Sequence, residues 1–310
     1  METESPGKVV RIRTLLFAGC LVASLWSPPA RAADLKPETV RAFDHYIELL
    51  ETRMDGDLRD GNFLYIDRLP SDTRRQLYSQ IRHGDPYINQ LAMQENGAPV
   101  PIPSGLIHHW IGIAFMPGAT YSQALSLLLD FDKQAEIYKP DVQKSKLLET
   151  NGNRSKVYLQ YLKKSLVTVV LNANFDSEYL PLNPSRGEIR SYSTRIAELQ
   201  DPGESTEKEL PVGKDHGYLW RLNSYWRIEE KDGGVYVQIE SVALSRRVPT
   251  VIAWLINPIV RNLSKAVVRN LLSSTCKAVH EDAAQKRNSA ASEAQSCTLP
   301  PDPQSTTDPK

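Results

Sequence analysis

The sequence predicts an α+β fold in which a curved antiparallel sheet of about seven strands wraps around one long C-terminal helix. The first observation is the segment Pro249 to Val279, which repeats apolar residues at steps of about four. That spacing is typical of a helix with one buried and one exposed face. The repeating residues are Leu255, Ile259, Leu263, Val267, Leu271 and Leu272. The second observation is a series of strand-like runs before this segment, and an antiparallel sheet is the simplest surface for the apolar face to pack on.

Composition limits the classes of partner. The chain has 310 residues, enough for one large domain or two small ones. Its 37 basic residues balance its 37 acidic residues, so the net charge attracts neither nucleic acid nor an anionic membrane. We therefore expect no nucleic-acid partner.

Residues 1–32 have the pattern of a signal peptide. Basic residues precede an apolar run from Leu15 to Trp26, and Ala30 and Ala32 supply the small residues that a signal peptidase reads. The pattern predicts cleavage after Ala32 and export to the periplasm or the extracellular space. A retained membrane anchor and lipidation at Cys20 are the alternatives.

Export changes how the remaining cysteines are interpreted. In an oxidising compartment Cys276 and Cys297 can form a disulfide, and the alternative is two unpaired thiols. Neither has a Cys or His nearby at the spacing of a metal site. No metal is predicted.

The segments on either side of the main domain differ from it in composition. Residues 33–97 form a helical N-terminal extension with helices over Leu35 to Met54, ended by glycines, and Thr73 to Ile81. The extension has too little apolar content for its own core, so we expect it to pack on the main domain. A Pro-rich linker over residues 98–104 leads into the main domain, residues 105–280, and residues 281–310 form a disordered polar tail.

Strands of the main domain follow from alternation and turn residues. The predicted strands are Leu106 to Phe115, Val142 to Glu149, Lys156 to Leu162, Leu166 to Phe175, Gly187 to Leu199, Gly217 to Glu229 and Val235 to Leu244. A helix over Tyr121 to Phe131, capped by Thr120, follows the first strand. The sequence Asp232-Gly233-Gly234 predicts a tight hairpin between the last two strands.

The strand Gly217 to Glu229 indicates which face lies inside. Alternation predicts an inward side with Tyr218, Trp220, Leu222, Ser224, Trp226 and Ile228, and a polar outward side with Arg221, Asn223, Arg227 and Glu229. By the same argument Val157, Leu159 and Tyr161 share one face, as do Val237, Ile239 and Ser241.

Two stretches resemble a known superfamily. They are LLLDFDKQAEIYKPDVQKSKLLETNG, Leu127 to Gly152, and RRVPTVIAWLINPIV, Arg246 to Val260. Both are similar to the START-like (SRPBCC) helix-grip superfamily, in its bacterial START, lipid-binding or polyketide cyclase-like branch. The resemblance covers roughly Gly105 to Val279 and implies an apolar pocket between sheet and helix. The superfamily has no shared catalytic residues, so none is carried over.

The residues expected to line this pocket are Tyr161, Trp220, Leu222, Trp226, Ile239, Trp254 and His109. The alternative for the aromatic residues is that they fill the core. His109 falls on the apolar side of its strand. There it could act as a general base or orient a ligand, and the alternative is a hydrogen-bonded structural histidine. His108 points to the opposite face, so the pair does not chelate one metal.

Three functions remain open at this stage. The leading hypothesis is an exported, non-catalytic protein that holds a hydrophobic small molecule, such as a lipid or isoprenoid, under the C-terminal helix. The second is an enzyme of the cyclase or aromatase kind that uses the same cavity, and the third is a protein-interaction module with a filled core. No cofactor is predicted, transient contact with a membrane is left open, and so is the oligomeric state.

Overall fold

A computed structural model describes residues 33–164, 168–247, 262, 264–282 and 284. The predicted signal peptide, Cys297, Trp254 and the predicted helix start near Pro249 lie outside these residues. Four helices are α1 (Pro37–Arg59), α2 (Ser71–Arg82), α3 (Tyr121–Leu129) and the short α4 (Gln134–Ile137). The C-terminal helix runs over residues 264–282.

The strands of the N-terminal part are short and those of the main domain are long. In chain order they are β1 (Ala33–Asp34), β2 (Tyr87–Gln90), β3 (Gln94–Glu95), β4 (Ala98–Pro99), β5 (Gly105–Pro117), β6 (Val142–Asn151), β7 (Arg154–Lys164), β8 (Thr168–Asn183), β9 (Arg186–Gln200), β10 (Lys208–Glu209), β11 (Lys214–Asp215), β12 (Arg221–Lys231) and β13 (Gly234–Arg246).

One large antiparallel sheet organises the fold. Over the described residues its strands lie in the order β2-β5-β13-β12-β9-β8-β7-β6, and β10 pairs with β9. The seven long strands are those that the sequence predicted, and β2 and β10 raise the total to nine. The first long strand, β5, pairs antiparallel with the last, β13, which precedes the C-terminal helix in the chain. This α+β, helix-grip architecture confirms the predicted class.

The β12–β13 hairpin shows why local sequence sets the register. Lys231 pairs with Gly234, and the two residues between them, Asp232 and Gly233, have φ of 57° and 75°. Positive φ at both central positions is the type I′ turn whose twist matches that of paired strands. The predicted hairpin is confirmed, and it aligns every inward residue of β12 with one of β13.

The C-terminal helix packs on the face that we call the inner face of the sheet. Val268 and Leu272 form a buried cluster with Trp110, Ala114 and Ile239. The helix approaches β5 at Gly112, where a β-carbon would lie 2.5 Å from Val268 Cγ1 and 2.7 Å from Leu272 Cδ1. Glycine is therefore required for this contact.

The opposite face, which we call the outer face, is covered by the N-terminal extension. Phe43, Leu50 and Met54 of α1 pack in one buried cluster with Tyr225 and Val242 of the sheet. Helix α1 therefore packs on the sheet. Helix α1 continues through Gly56 to Arg59, beyond the predicted end. Residues 98–104 do not stand apart as a linker, because β4 pairs with β3 and Val100 and Ile102 are buried in the same cluster.

The polar side of β12, opposite the cavity, is largely buried. Arg227 is only 1% exposed, and it donates hydrogen bonds to Glu188 at 3.1 Å, to the Phe63 carbonyl at 2.8 Å and to the Met54 carbonyl at 3.1 Å. Asn223 and Glu229 are also buried. Charged residues are stable there because each finds partners in the extension or on neighbouring strands.

Candidate functional site

A cavity of about 930 Å³ lies between the inner face of the sheet and the C-terminal helix. Its volume falls at the upper end of the range for sites that enclose one small molecule. Strand β12 contributes Leu222, Ser224 and Trp226, and β13 contributes Ile239 and Ser241. These side chains converge because directly opposed residues of an antiparallel pair share a face, as Trp226 and Ile239 do.

Burial along β12 alternates in a way that reflects the cavity. Tyr225 and Arg227 face the extension and are fully buried, whereas Leu222, Ser224 and Trp226 face the cavity and are only partly buried. The inner face therefore has large side chains that are not fully packed by the protein. Unfilled apolar surface of this kind is available to a ligand.

The far wall of the cavity is apolar and aromatic. It is formed on β7 and β8 by Val157, Leu159, Tyr161, Leu171 and Phe175. The Tyr161 and Phe175 rings pack edge to face with centroids 6.3 Å apart. Burial raises the pKa of Tyr161, so its phenol remains protonated at neutral pH.

His108 lines the cavity from β5. Its Nε2 lies 2.8 Å from Ser245 Oγ, and burial lowers its pKa to about 4. The imidazole is therefore neutral at physiological pH. It offers hydrogen bonding without charge.

Two ion pairs lie at one end of the cavity. Lys163 Nζ donates to Asp141 at 3.1 Å, and His216 Nδ1 lies 2.6 Å from a Glu198 carboxylate oxygen. Tyr218, at the same end, is 43% exposed. Solvent thus meets the cavity at this end, and the interior beyond it is apolar with neutral polar groups.

The structure brings together four of the predicted lining residues. Trp226, Leu222, Ile239 and Tyr161 all line the cavity. Trp254 lies outside the described residues. Cys276 is partly buried beside the clusters under the C-terminal helix, and burial raises the pKa of its thiol to about 11. Its pairing with Cys297 stays a prediction.

Trp220 is not part of the lining, and the prediction that it shares the inner face with Trp226 is wrong. It is 3% exposed and belongs to the cluster under α1, and its indole N–H donates to Asp215 Oδ1 at 3.0 Å. The paired strand begins only at Arg221, and both Tyr218 and Leu219 line the cavity. Because the chain has not yet entered the regular strand, a period of two does not hold there.

His109 also lies on the other face from the one predicted. Its ring is 1% exposed, with Nδ1 2.8 Å from the Tyr46 hydroxyl and Nε2 2.6 Å from Glu240 Oε1. Glu240 also accepts a hydrogen bond from Arg53. Burial alone raises the pKa of Glu240, but the hydrogen bonds and electrostatic interactions with His109 and Arg53 outweigh burial and lower the pKa to about 2. The ionised carboxylate only accepts, so Nε2 carries the proton.

Polar residues that sequence reasoning did not select also line the cavity. They include Trp110, His108, the inward serines of β8, β9, β12 and β13, and Asn270, Ser273 and Ser274 of the C-terminal helix. Alternation places Ser224 and Ser241 on inward faces, which is the only indication of their position in the sequence. It does not predict them as ligand contacts, because a single serine in a strand has no distinctive pattern.

Metal-binding clusters and membrane-spanning helices are both absent from the described residues. No group of three or more His, Cys, Asp or Glu side chains there is arranged to hold a metal ion. None of the helices within the described ranges is long and apolar enough to cross a membrane.

Comparisons by sequence found no matching family model and no matching curated protein. Comparison by structure matches START-related lipid-transfer proteins and aromatase/cyclases, the superfamily that the sequence resembles. A STAR-related lipid transfer protein fragment from Xanthomonas axonopodis aligns at a TM-score of 0.41 and 15% identity, over 62% of this chain and 98% of that one.

Two further matches have similar scores. Human STARD10 aligns at a TM-score of 0.41 and 11% identity, over 71% of this chain and 84% of that one. The Zhui aromatase/cyclase from Streptomyces sp. R1128 aligns at 0.36 and 16% identity, over 58% and 96%. With TM-scores this low, the likenesses carry no argument about ligand or reaction. The fold assignment rests on the strand order and the packed helix described above.

Proposed function

We propose that this chain is an exported, non-catalytic protein that binds a hydrophobic small molecule in the cavity between the sheet and the C-terminal helix. The observation that carries the proposal is the cavity of about 930 Å³ with its largely apolar lining. Roughly 100 Å² of apolar ligand surface buried in it contributes about 2.5 kcal/mol to binding, before the entropic cost of association. Apolar surface is thus the main source of affinity.

The non-catalytic part of the proposal rests on the state of the polar groups. His109, the base that an enzyme was expected to use, lies under α1 in contact with Tyr46 and Glu240. His108 faces the cavity, but its pKa of about 4 makes it a weak base. The charged pairs at the cavity end satisfy each other.

Export is proposed from the N-terminal sequence alone. A basic segment, an apolar run and Ala30-Arg31-Ala32 precede Ala33. N-terminal sequencing of the protein from the host's envelope or medium should begin at Ala33. Recovery of an uncleaved chain in the cytoplasm would contradict export without affecting the binding proposal.

A cavity-filling variant tests binding. Ala243 lines the cavity and is partly buried, so Ala243→Phe places a ring in the space that a ligand would occupy. Ala98→Phe adds the same ring on the exposed β3–β4 hairpin and serves as the matched control. Both proteins, starting at Ala33, are isolated from the native host and examined by native mass spectrometry, followed by extraction of any bound molecule.

The proposal expects a stoichiometric apolar molecule on the wild type and on Ala98→Phe, and its loss from a folded Ala243→Phe. If all three proteins are empty and take up no lipid or quinone from a panel, the cavity does not bind such ligands. Retention of the molecule by Ala243→Phe would place its site elsewhere on the chain.

A further inference from the structure

A row of hydroxyl groups crosses the inner face of the sheet. Ser177 of β8 pairs with Ser191 of β9, Ser191 with Ser224 of β12, and Ser224 with Ser241 of β13. Ser241 in turn pairs with Trp110 of β5. Directly opposed residues share a face, so these side chains form one line perpendicular to the strands. At about 4.8 Å for each strand spacing, the four serines span roughly 14 Å.

All members of this row line the cavity, and several lack partners. Ser177 Oγ and Ser191 Oγ lie 2.8 Å apart and bond to each other. The hydroxyls of Ser224 and Ser241 bond to no other residue within the described ranges. Trp110 is 5% exposed, and among the described residues its buried indole N–H has no hydrogen-bond partner.

Apolar side chains lie on both sides of the row along the strands. Trp226 and Ile239 form the next pair toward the hairpin, and Leu222 and Ala243 form the next pair in the other direction. All four line the cavity. On the sheet side of the cavity the row is therefore a polar band with apolar side chains next to it in both directions, a pattern that fixes the position of a ligand along the strands.

The band is electrically neutral. Its members are hydroxyls and an indole N–H, and the nearest titratable group beside it on β5, His108, is uncharged at neutral pH. At the cavity end Lys163 pairs with Asp141 and His216 pairs with Glu198. A charged ligand group at the band would lack a counter-ion, which burial makes unfavourable. An oxygen that accepts hydrogen bonds matches the donors present.

From this arrangement we propose that the ligand is a neutral, oxygenated hydrophobic molecule whose hydroxyl or ketone oxygen, flanked by hydrocarbon on both sides, binds at Ser224 and Ser241. This inference rests on the proposed function and specifies its ligand class. The serines accept from and donate to a hydroxyl, and they donate to a ketone oxygen. Discrimination against plain hydrocarbon comes from the polar groups that would otherwise remain unpaired.

The test uses three probes of equal chain length: an alkane, the secondary alcohol with its hydroxyl at mid-chain, and the corresponding ketone. Each is delivered from cyclodextrin, and its affinity is measured by displacement of a neutral fluorescent dye from the protein starting at Ala33. The variant is Ser224→Ala/Ser241→Ala, which removes two hydroxyls and adds no bulk. The matched control is Ser122→Ala/Ser126→Ala on the exposed side of α3.

We expect the wild type and the control to bind the alcohol and the ketone about tenfold more tightly than the alkane, and the cavity variant to lose most of that preference. Alkane affinity should be unchanged or higher in the cavity variant. If all three probes bind and the preference is absent, or is unaffected by the cavity variant, this inference is overturned and the proposed function stands. If no probe binds the folded wild type, both are overturned.

Discussion

Replacing Arg227 tests whether the N-terminal extension is an integral part of the fold. The guanidinium is 1% exposed and joins three elements, since it donates to Glu188 on β9, to the Met54 carbonyl of α1 and to the Phe63 carbonyl after α1. Arg227→Met keeps much of the apolar volume and removes all three hydrogen bonds. The Phe63 carbonyl loses its donor, the Met54 carbonyl keeps only the backbone hydrogen bond of its helix, and the Glu188 carboxylate keeps only Arg190.

The size of the effect follows from these contacts. The orphaned Phe63 carbonyl costs about 1–3 kcal/mol, and breaking a buried ion pair costs about 3–5 kcal/mol. Because Arg190 still neutralises Glu188 and the methionine packs, we expect a total loss near 4 kcal/mol in the free energy of unfolding. Urea denaturation followed by tryptophan fluorescence measures it, with an unchanged m-value as the sign of an unchanged folded state.

Arg195→Met is the matched control. Arg195 lies on β9, 40% exposed, and pairs with Glu209, also at the surface. An exposed pair of this kind contributes about 0–1 kcal/mol. If Arg227→Met lost no more stability than Arg195→Met, the extension would not cover the sheet as described, and the outer-face assignment would be refuted.

Two other predictions concern pH and packing. The lowered pKa of Glu240, about 2 against an ordinary value near 4.5, contributes stability that is present above pH 4.5 and is lost as the pH falls toward 2. The free energy of unfolding of the wild type should therefore fall more steeply over that window than that of Glu240→Gln, and parallel curves would contradict the buried ion pair. Gly112→Ala should lose about 1–3 kcal/mol, because its methyl would overlap Val268 and Leu272. Gly56→Ala in α1, where a β-carbon meets nothing closer than 3.8 Å, should instead gain about 0.5–1 kcal/mol in thermal or urea unfolding, and equal effects of the two substitutions would argue against the helix contact.

Local sequence by itself determined the elements of this fold. The seven long strands, the hairpin at Asp232-Gly233 and helix α2 follow from alternation, turn residues and helical spacing, which are interactions between near neighbours in the chain. The same local patterns placed Leu222, Trp226 and Ile239 together, since the hairpin aligns β12 with β13. An antiparallel sheet packed on a C-terminal helix then followed from the order of the elements.

Tertiary structure decided which face of each strand meets the cavity. Alternation places His109 on one face of β5 with Ile111 and Ile113. Because β5 is buried on both faces, hydrophobicity alone does not show which face lies under α1 and which lies under the C-terminal helix. From the sequence, Arg227 is expected at the surface. It is buried because α1 and the residues after it supply backbone carbonyls to its guanidinium.

The serine row also depends on tertiary structure. Ser177, Ser191, Ser224 and Ser241 are spread over 65 positions of the chain, and each one alone is an ordinary strand residue. Only the register of four strands places them in one line. The sequence alone thus determined the elements and their order, because these depend on neighbours within a few residues. The polar band that selects a ligand depends on pairing between distant strands, and only the tertiary structure decided it.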